Sequence, residues 1–456
     1  MSTGLVPPAL KVTLDGGFTD LGQFRLVHSR DLATQAEALS TALRRVPTSE
    51  GTAKIELKID KRLGTGYSIR VSQGRALVVG GGATALANAT STVLQLAAQD
   101  GTLPLGVIDD KPDVEFRGLL LDVARQWHSV ETIRQVITLC WLYKVNYLQL
   151  HLTDDQSFTF PTESLPSLPT PGRSYTKQQL RELVLFAKAR GVTIIPEIEM
   201  PGHGGQMVSK MPDLFRAHAL HHATLNFAKP EVRTALKNLL AEVMEVFDAP
   251  YMHIGGDEAD LAHVHETASF QEAMRAKQLD NPQELFRDFI NEMNQTVRAK
   301  GKKMIVWEGF GPEGKVPVSK DIVVQNFESA YYPPDRMAAA GYTMINASWK
   351  PLYVVNDRNW TPEEIYGWNY RRWEHFIEGF PSYKGIQLDS EAKVLGAMMC
   401  AWEQPQEREI PSLRERLPAM AERLWRANTK GTYEDFAKRL KSTDALLTKL
   451  LTETAR

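Results

Sequence analysis

The chain has 456 residues, 53 of them lysine or arginine and 55 aspartate or glutamate, so its formal charge is −2, and 43% of it is hydrophobic. Such a composition excludes a disordered chain, and near-neutrality leaves no field with which to gather nucleic acid or an anionic membrane. The two cysteines, Cys140 and Cys400, sit inside the apolar runs ITLCWLY and GAMMCAW, which excludes a disulfide framework.

No stretch reaches about 18 uninterrupted apolar residues, so no membrane insertion is expected. The first 20 residues show no apolar leader. A soluble chain is expected, its compartment unassigned, and periplasmic or secreted if a leader has been removed. Up to about residue 110, β-rich pieces (AKIELKID, YSIRVSQGRALVVGG) alternate with the run TALANATSTVLQLAAQ, in which Leu86, Ala89, Val93 and Leu94 recur at helical spacing. This predicts a small α+β domain over residues 1–112. The segment GVIDDKPDVEF, with Pro112 and its charges, marks the boundary to a second domain, 113–456.

From Arg117 the texture changes to strands without polar alternation, separated by amphipathic helices, the pattern of a buried parallel sheet. Eight strands are predicted: GLLLDV, VNYLQLHL, VTIIPEIE, YMHIGG, KMIVW, DIVVQNF, TMINA and VLGAMMCAW. Helix starts are signalled by Ser129, by the box Thr176 to Gln179, by Asn281-Pro282 and by Thr361-Pro362-Glu363-Glu364. Gly191 and Gly301 stand where a left-handed residue ends a helix. Eight β/α units over roughly 310 residues predict an α/β fold, a (β/α)8 TIM barrel preceded by the small α+β domain.

In such a barrel the active site forms at the C-terminal ends of the strands. The polar residues there are Asp122 and Arg125, then His151, Asp154 and Asp155, then Glu197, Glu199 and His203, then Asp257 and Glu258, then Trp307 and Glu308, and finally Trp402 and Glu403. The pair Asp257-Glu258 directly follows HIGG. Neighbouring strand residues point to opposite faces, so both face one pocket only if the chain leaves β geometry, which Gly255-Gly256 permits. Two adjacent carboxylates repel, so one is expected to hold its proton near neutral pH and serve as a general acid.

RGLLLDVAR, HLTDDQ, PEIEMPGH and HIGGDEA resemble, in the same order and spacing, glycoside hydrolase family 20, the exo-acting β-N-acetylhexosaminidases. The resemblance runs from Arg117 to about Trp425, and the preceding α+β domain also looks like that family's. It implies removal of terminal β-linked N-acetylglucosamine or N-acetylgalactosamine from an oligosaccharide or glycoconjugate by a retaining, substrate-assisted route. The sugar's own acetamido oxygen then attacks the anomeric carbon, giving an oxazolinium. Glu258 matches the general acid and base, Asp257 the group that holds the acetamido N–H, and Tyr353 the phenol on the acetamido oxygen. Arg125 matches the fork that grips O3 and O4, while Trp307, Trp368 and Trp402 match aromatic walls. Asp154 and His203 resemble a relay orienting Glu258. No cofactor or metal is implied.

Three departures from the family's pattern stand out, the first expected to reposition the loop before MPGH and the other two to touch substrate choice. Glu199 stands where an aspartate is usual, strand six ends in QNFES without the usual tryptophan, and AWEQ leaves either Glu403 or Gln404 to bind O4 and O6. Two competing readings exist. Carboxylates ending strands two to four also describe a Mg²⁺-dependent barrel enzyme that abstracts a proton, which chelators would inactivate. A non-catalytic sugar-binding protein would most naturally have lost the acid, and Glu258 is present. His218, His221 and His222 have metal-ligand spacing but read as a solvated surface cluster.

Overall fold

The computed structural model of the chain describes residues 4–47, 51–356, 358–428 and 431–452. Six strands form the N-terminal sheet: β1 (Lys11–Asp20), β2 (Gln23–Val27), β3 (Thr52–Ile59), β4 (Tyr67–Ser72), β5 (Arg75–Gly80) and β6 (Thr102–Asp110), in the order β1-β6-β4-β5-β3-β2. Helices α1 (Ala33–Leu43) and α2 (Ala83–Ala97) connect them. Nearly all of α2 is buried because it lies between this sheet and the barrel helix α3 (Val130–Leu142). Its hydroxyls find partners there or on its own preceding turn: Thr90 Oγ1 donates to the Ala87 carbonyl at 2.7 Å, and Ser91 Oγ to the Leu142 carbonyl at 2.7 Å. Trp141 of α3 returns an indole N–H to the Ala87 carbonyl at 3.0 Å.

A buried charged joint completes the contact between sheet and barrel. Asp110, ending β6, accepts from the Trp425 indole at 3.2 Å and pairs with Arg426 and, at 3.3 Å, with Lys144. Burial pushes the Lys144 amine down to about 8, with Asp110 working the other way. Removing one partner from such a set strands the other charge in a dry site.

All eight predicted barrel strands are present. They are β7 (Phe116–Asp122), β8 (Tyr147–His151), β9 (Thr193–Glu197), β10 (Tyr251–His253), β11 (Lys303–Trp307), β12 (Val323–Asn326), β13 (Thr343–Asn346) and a last strand, Val394–Ala401. Every neighbouring pair is parallel, and the last strand pairs with both β13 and β7, which closes the barrel. Inward positions of alternate parity, among them Leu120, Ile195, Ile305, Val323, Ile345, Met398 and Cys400, fill the interior, so it is a packed core. The expected helix starts are realised: Ser129, Thr176, Asn281 and Thr361 each accept the backbone N–H three residues on. Gly191 and Gly301 have φ of 70° and 71°. Among the described residues no helix is long and apolar enough to cross a membrane.

Candidate active site

Across β7 to β10, the inward side chains Asp122, His151, Glu197 and His253 stand in register at the C-terminal ends. Strand periodicity therefore gathers an acid, a base, an acid and a base on one rim of the barrel. Glu197, fully buried, accepts the Trp307 indole N–H at 2.6 Å, the Gln149 amide at 2.9 Å and His151 Nδ1 at 2.9 Å. Burial disfavours its charge, but the two histidines and these bonds win and hold it well below the usual carboxylate range. His151 donates its other nitrogen to Asp154 Oδ2 at 2.9 Å. Burial opposes the imidazolium, yet the charge of Glu197 and the bonds to Asp154 and Glu197 raise it to about 9.

Asp154 Oδ2 is the junction of the rim. It also receives Arg125 Nη2 at 2.8 Å and lies 3.6 Å from His203 Nδ1. Arg125 is further tied to Asp122 at 3.3 Å and lies over the Trp402 ring, 5.0 Å from its centroid. His203 turns its second nitrogen outward, 3.3 Å from Glu258 Oε2 and 3.8 Å from Asp257 Oδ2. Despite burial, its hydrogen bonds to Asp154 and Glu258 push its pKa up to about 12, so it is a cation. The chain Trp307, Glu197, His151, Asp154, His203, Glu258 is thus continuous from the barrel floor to the cleft.

The backbone does at the end of β10 what the sequence required. The strand stops at His253, Gly255 and Gly256 take φ of 70° and 98°, and Glu258 itself has φ 47°. Asp257 and Glu258 consequently line one cleft of about 200 Å³. Gly255 has a second reason to be glycine: a Cβ there would fall 1.8 Å from Glu199 Oε2. The longer Glu199 arm is therefore folded under the Gly255-Gly256 turn that carries the two acids. Burial, then the charges of Asp257 and Glu197, keep its carboxyl protonated well above the ordinary range.

Which of the two acids is held near neutrality, left open by their adjacency, follows from their surroundings. The group held near neutrality is Asp257, pushed up to about 6 by burial against the pull of His203. Glu258 is lowered, because the His203 hydrogen bond outweighs its partial burial. Burial raises the deeper of the two, with the charge of Glu258 adding to it, and the outer one is governed by the histidine.

Most of the remaining candidates meet here. Arg125, His203, Tyr353, Trp402 and Glu403 line the cleft with the pair, Tyr353 being buried and its phenol pushed up by that burial. Asp154 and Trp307 lie beneath, Trp307 with its ring 5.9 Å from Trp402. Trp368 is a correction. It is packed in the main core, its indole donates to the Arg372 carbonyl at 3.0 Å, and the wall assigned to it belongs to Trp349, stacked on Tyr353 at 4.2 Å. After strand eight, Glu403, 4.0 Å from Arg125 Nε, projects into the cleft, while Gln404 is buried against the Val354 and Trp402 carbonyls. Phe327 fills the position of the missing tryptophan, 6.4 Å from Tyr353 and 5.4 Å from Trp307. Glu328 and Val355 complete the lining. The strand-end rule that found the other acids would have found Glu328 at the end of β12, whereas Trp349, Phe327 and Val355 carried no polar signal.

Two donor sets have metal-like spacing, His151, Glu197 and Glu199, and Asp154, Asp155 and His203, each with ligand atoms within 4.8 Å. Both imidazoles are held protonated by carboxylates, and a protonated imidazole has no lone pair for a metal. The donor sets therefore fit a hydrogen-bonded relay better than a metal centre.

A closed parallel barrel whose mouth joins paired carboxylates, an arginine fork and aromatic walls is the kind of site a glycoside hydrolase carries. Residues 114–428 match the model of glycosyl hydrolase family 20, catalytic domain, and the chain belongs to that family. It is 27% identical to a β-hexosaminidase of Porphyromonas gingivalis over 82% of this chain and 52% of that protein. It is 29% identical to a chitooligosaccharidolytic β-N-acetylglucosaminidase of Ostrinia furnacalis over 70% of this chain and 58% of that one. The chain spans 52% to 63% of the length of four such relatives. Among solved structures, the Vibrio harveyi family 20 exo β-N-acetylglucosaminidase in complex with N-acetylglucosamine superposes with a TM-score of 0.82 at 25% identity, over 99% of this chain and 78% of that one. A Streptomyces coelicolor family 20 β-N-acetylhexosaminidase gives 0.78 at 22% identity, over 98% and 96%, which shows the shared fold.

Proposed function

We propose that the protein is an exo-acting β-N-acetylhexosaminidase that removes terminal β-linked N-acetylglucosamine or N-acetylgalactosamine by a retaining, substrate-assisted mechanism. The observation that carries the reading is the pair Asp257 and Glu258 turned into one cleft, the first buried and the second half-exposed above it. The relatives' names and the sugar complex of the Vibrio harveyi structure support the same substrate class.

In this reading the acetamido oxygen attacks the anomeric carbon while Glu258 protonates the leaving oxygen, and the C–O bond breaks. His203, a cation 3.3 Å from the Glu258 carboxyl, lies on the proton's path. Asp257, ionised above about 6, balances the positive oxazolinium, and Tyr353 steadies the acetamido oxygen from the facing wall. Glu258 then takes a proton from the water that opens the ring of the intermediate at the anomeric carbon. Arg125, fixed by Asp122 and Asp154, presents its remaining donors to ring hydroxyls, with Glu403 beside it. Trp402, Trp349 and Phe327 give the sugar apolar walls.

The test is a panel of p-nitrophenyl β-glycosides with and without EDTA, followed by a fluorinated sugar that lacks the acetamido group. Turnover confined to the N-acetylhexosaminides, untouched by EDTA, is expected, with no covalent adduct in the mass spectrum. An adduct on Asp257 or Glu258, or turnover of the glucoside alone, would refute substrate assistance.

A further inference from the structure

Glu328 is the acid in the cleft that the roles above leave unused. It follows Phe327 directly beyond the end of β12, and Ser329, with φ 65°, turns the chain back immediately after it. The fully buried Glu308 anchors that turn by accepting the Ala330 N–H at 3.0 Å. Glu328 therefore stands half-buried on the cleft wall with Asp257 and Glu258. Among the described residues no lysine, arginine or histidine comes within 4.0 Å of it, and the one hydrogen bond that favours its charge comes from Trp349. The cations of the cleft are committed elsewhere, Arg125 to Asp122 and Asp154, His203 to Asp154 and Glu258. Burial, then the charges of Glu258 and Asp257, raise the Glu328 carboxyl to about 7. A desolvated acid without a counter-charge is costly, and its position on a cleft wall gives the cost a purpose.

Its neighbours say which side of the substrate it faces. The residues assigned to the cleaved sugar are Arg125, Trp402, Tyr353 and the buried Asp257, whereas Glu258, the outer acid, addresses the leaving oxygen and has the stronger influence on Glu328. Three residues on, Tyr331 is 39% exposed, and its phenol is pushed up to about 12 by burial and then by the charges of Glu258 and Glu328. An exposed aromatic ring that feels the charges of both acids, three residues beyond one on the cleft wall, offers a face for a sugar ring while that acid offers a charge for its substituent.

Building on the hexosaminidase reading, we propose that Glu328, with Tyr331, selects the leaving group: it favours an aglycone carrying a cationic amine next to the scissile bond, such as a 2-amino-2-deoxy sugar that has lost its acetyl group. The amine would supply the counter-charge that the chain does not.

The experiment compares kcat/KM at pH 7 for two disaccharides, N-acetylglucosamine β-1,4-linked to N-acetylglucosamine and to glucosamine, in the wild-type protein and in Glu328→Gln. Turnover of p-nitrophenyl N-acetylglucosaminide is measured in parallel, so that the activity and the leaving-group preference are read separately. The wild type should prefer the amine-bearing disaccharide by about fivefold, the scale of a half-exposed ion pair. The ratio should fall to about one in Glu328→Gln, and added salt should weaken it in the wild type. A wild-type ratio of one or below, or a ratio that Glu328→Gln leaves intact, overturns the proposal.

Discussion

Replacing Asp257 with asparagine should stabilise the protein while disabling it, and the two effects have one origin. The Asp257 carboxyl titrates at about 6 rather than at the ordinary 3.8 because it is buried, and His203, 3.8 Å away, only partly offsets that. Each pH unit of difference is worth about 1.4 kcal/mol, so the ionised side chain weighs against folding by about 3 kcal/mol at pH 8. The sign follows from the raised pKa. Below 3.8 the group is protonated in both folded and unfolded chains and costs nothing, and the penalty grows as pH rises through 6. Asparagine is neutral throughout, so Asp257→Asn should raise the midpoint of thermal unfolding by roughly 3 °C at pH 8 and leave it unchanged at pH 3.5. Turnover should fall by about 10² to 10³, as when a group that balances transition-state charge is lost, while the product sugar still binds. The acid limb of the wild-type pH–rate profile, near 6, should vanish in the variant. Unfolding curves at several pH values check the first claim. A variant no more stable than wild type at pH 8 would mean that Asp257 ionises without cost, and the argument for a poised group would fail.

Glu258→Gln should slow hydrolysis of natural glycans by about 10² to 10⁴, the usual worth of a general acid. An aryl glycoside, whose leaving group needs less protonation, should suffer less, and an equal loss on both would assign Glu258 another role. His203→Gln removes a cation that lowers both Asp257 and Glu258, so both limbs of the pH profile of kcat/KM should move to higher pH. Limbs that stay in place would uncouple His203 from the pair.

The barrel was legible because its information is local. Apolar runs such as GLLLDV and KMIVW name strands by composition, and Ser129, Thr176, Asn281 and Thr361 announce the helices through hydrogen bonds spanning three residues. Strand-end polar residues were legible for the same reason, since a (β/α)8 barrel sends them to one face. What depended on three-dimensional neighbours was not legible. Trp349 and Trp368 both follow β13 and are equally aromatic, and only the packing of the loop puts the first over Tyr353 and the second in the core. Glu403 and Gln404 were told apart by backbone, because the φ of 59° at Glu403 swings its side chain out toward Arg125. The proton inventory was hidden as well. Adjacency of Asp257 and Glu258 says that one is raised, and the choice between them is made by the burial of Asp257 and by the hydrogen bond to Glu258 from His203, more than fifty residues away in the chain.

The acids gathered at the barrel mouth show how that choice is enforced. Asp154 and Glu197 are held ionised because His151, with Arg125 on one side and the Trp307 indole on the other, gives their charges fixed partners. Glu199 and Glu308 are fully buried and keep their protons because burial outweighs every favourable partner, for Glu199 even the protonated His151 3.7 Å away. Asp257 falls between these groups: it is a little less buried than the neutral acids, and the protonated His203 3.8 Å away offsets part of the burial that raises it. A carboxyl settled in either extreme would resist change, since a firmly paired charge is already spent and a firmly neutral acid will not ionise. One balanced near 6 gains its charge cheaply when a positive centre appears beside it. The rim of Glu197, His151 and Asp154 fixes the charge of His203 and thereby, in the proposed mechanism, sets how readily Asp257 answers an oxazolinium.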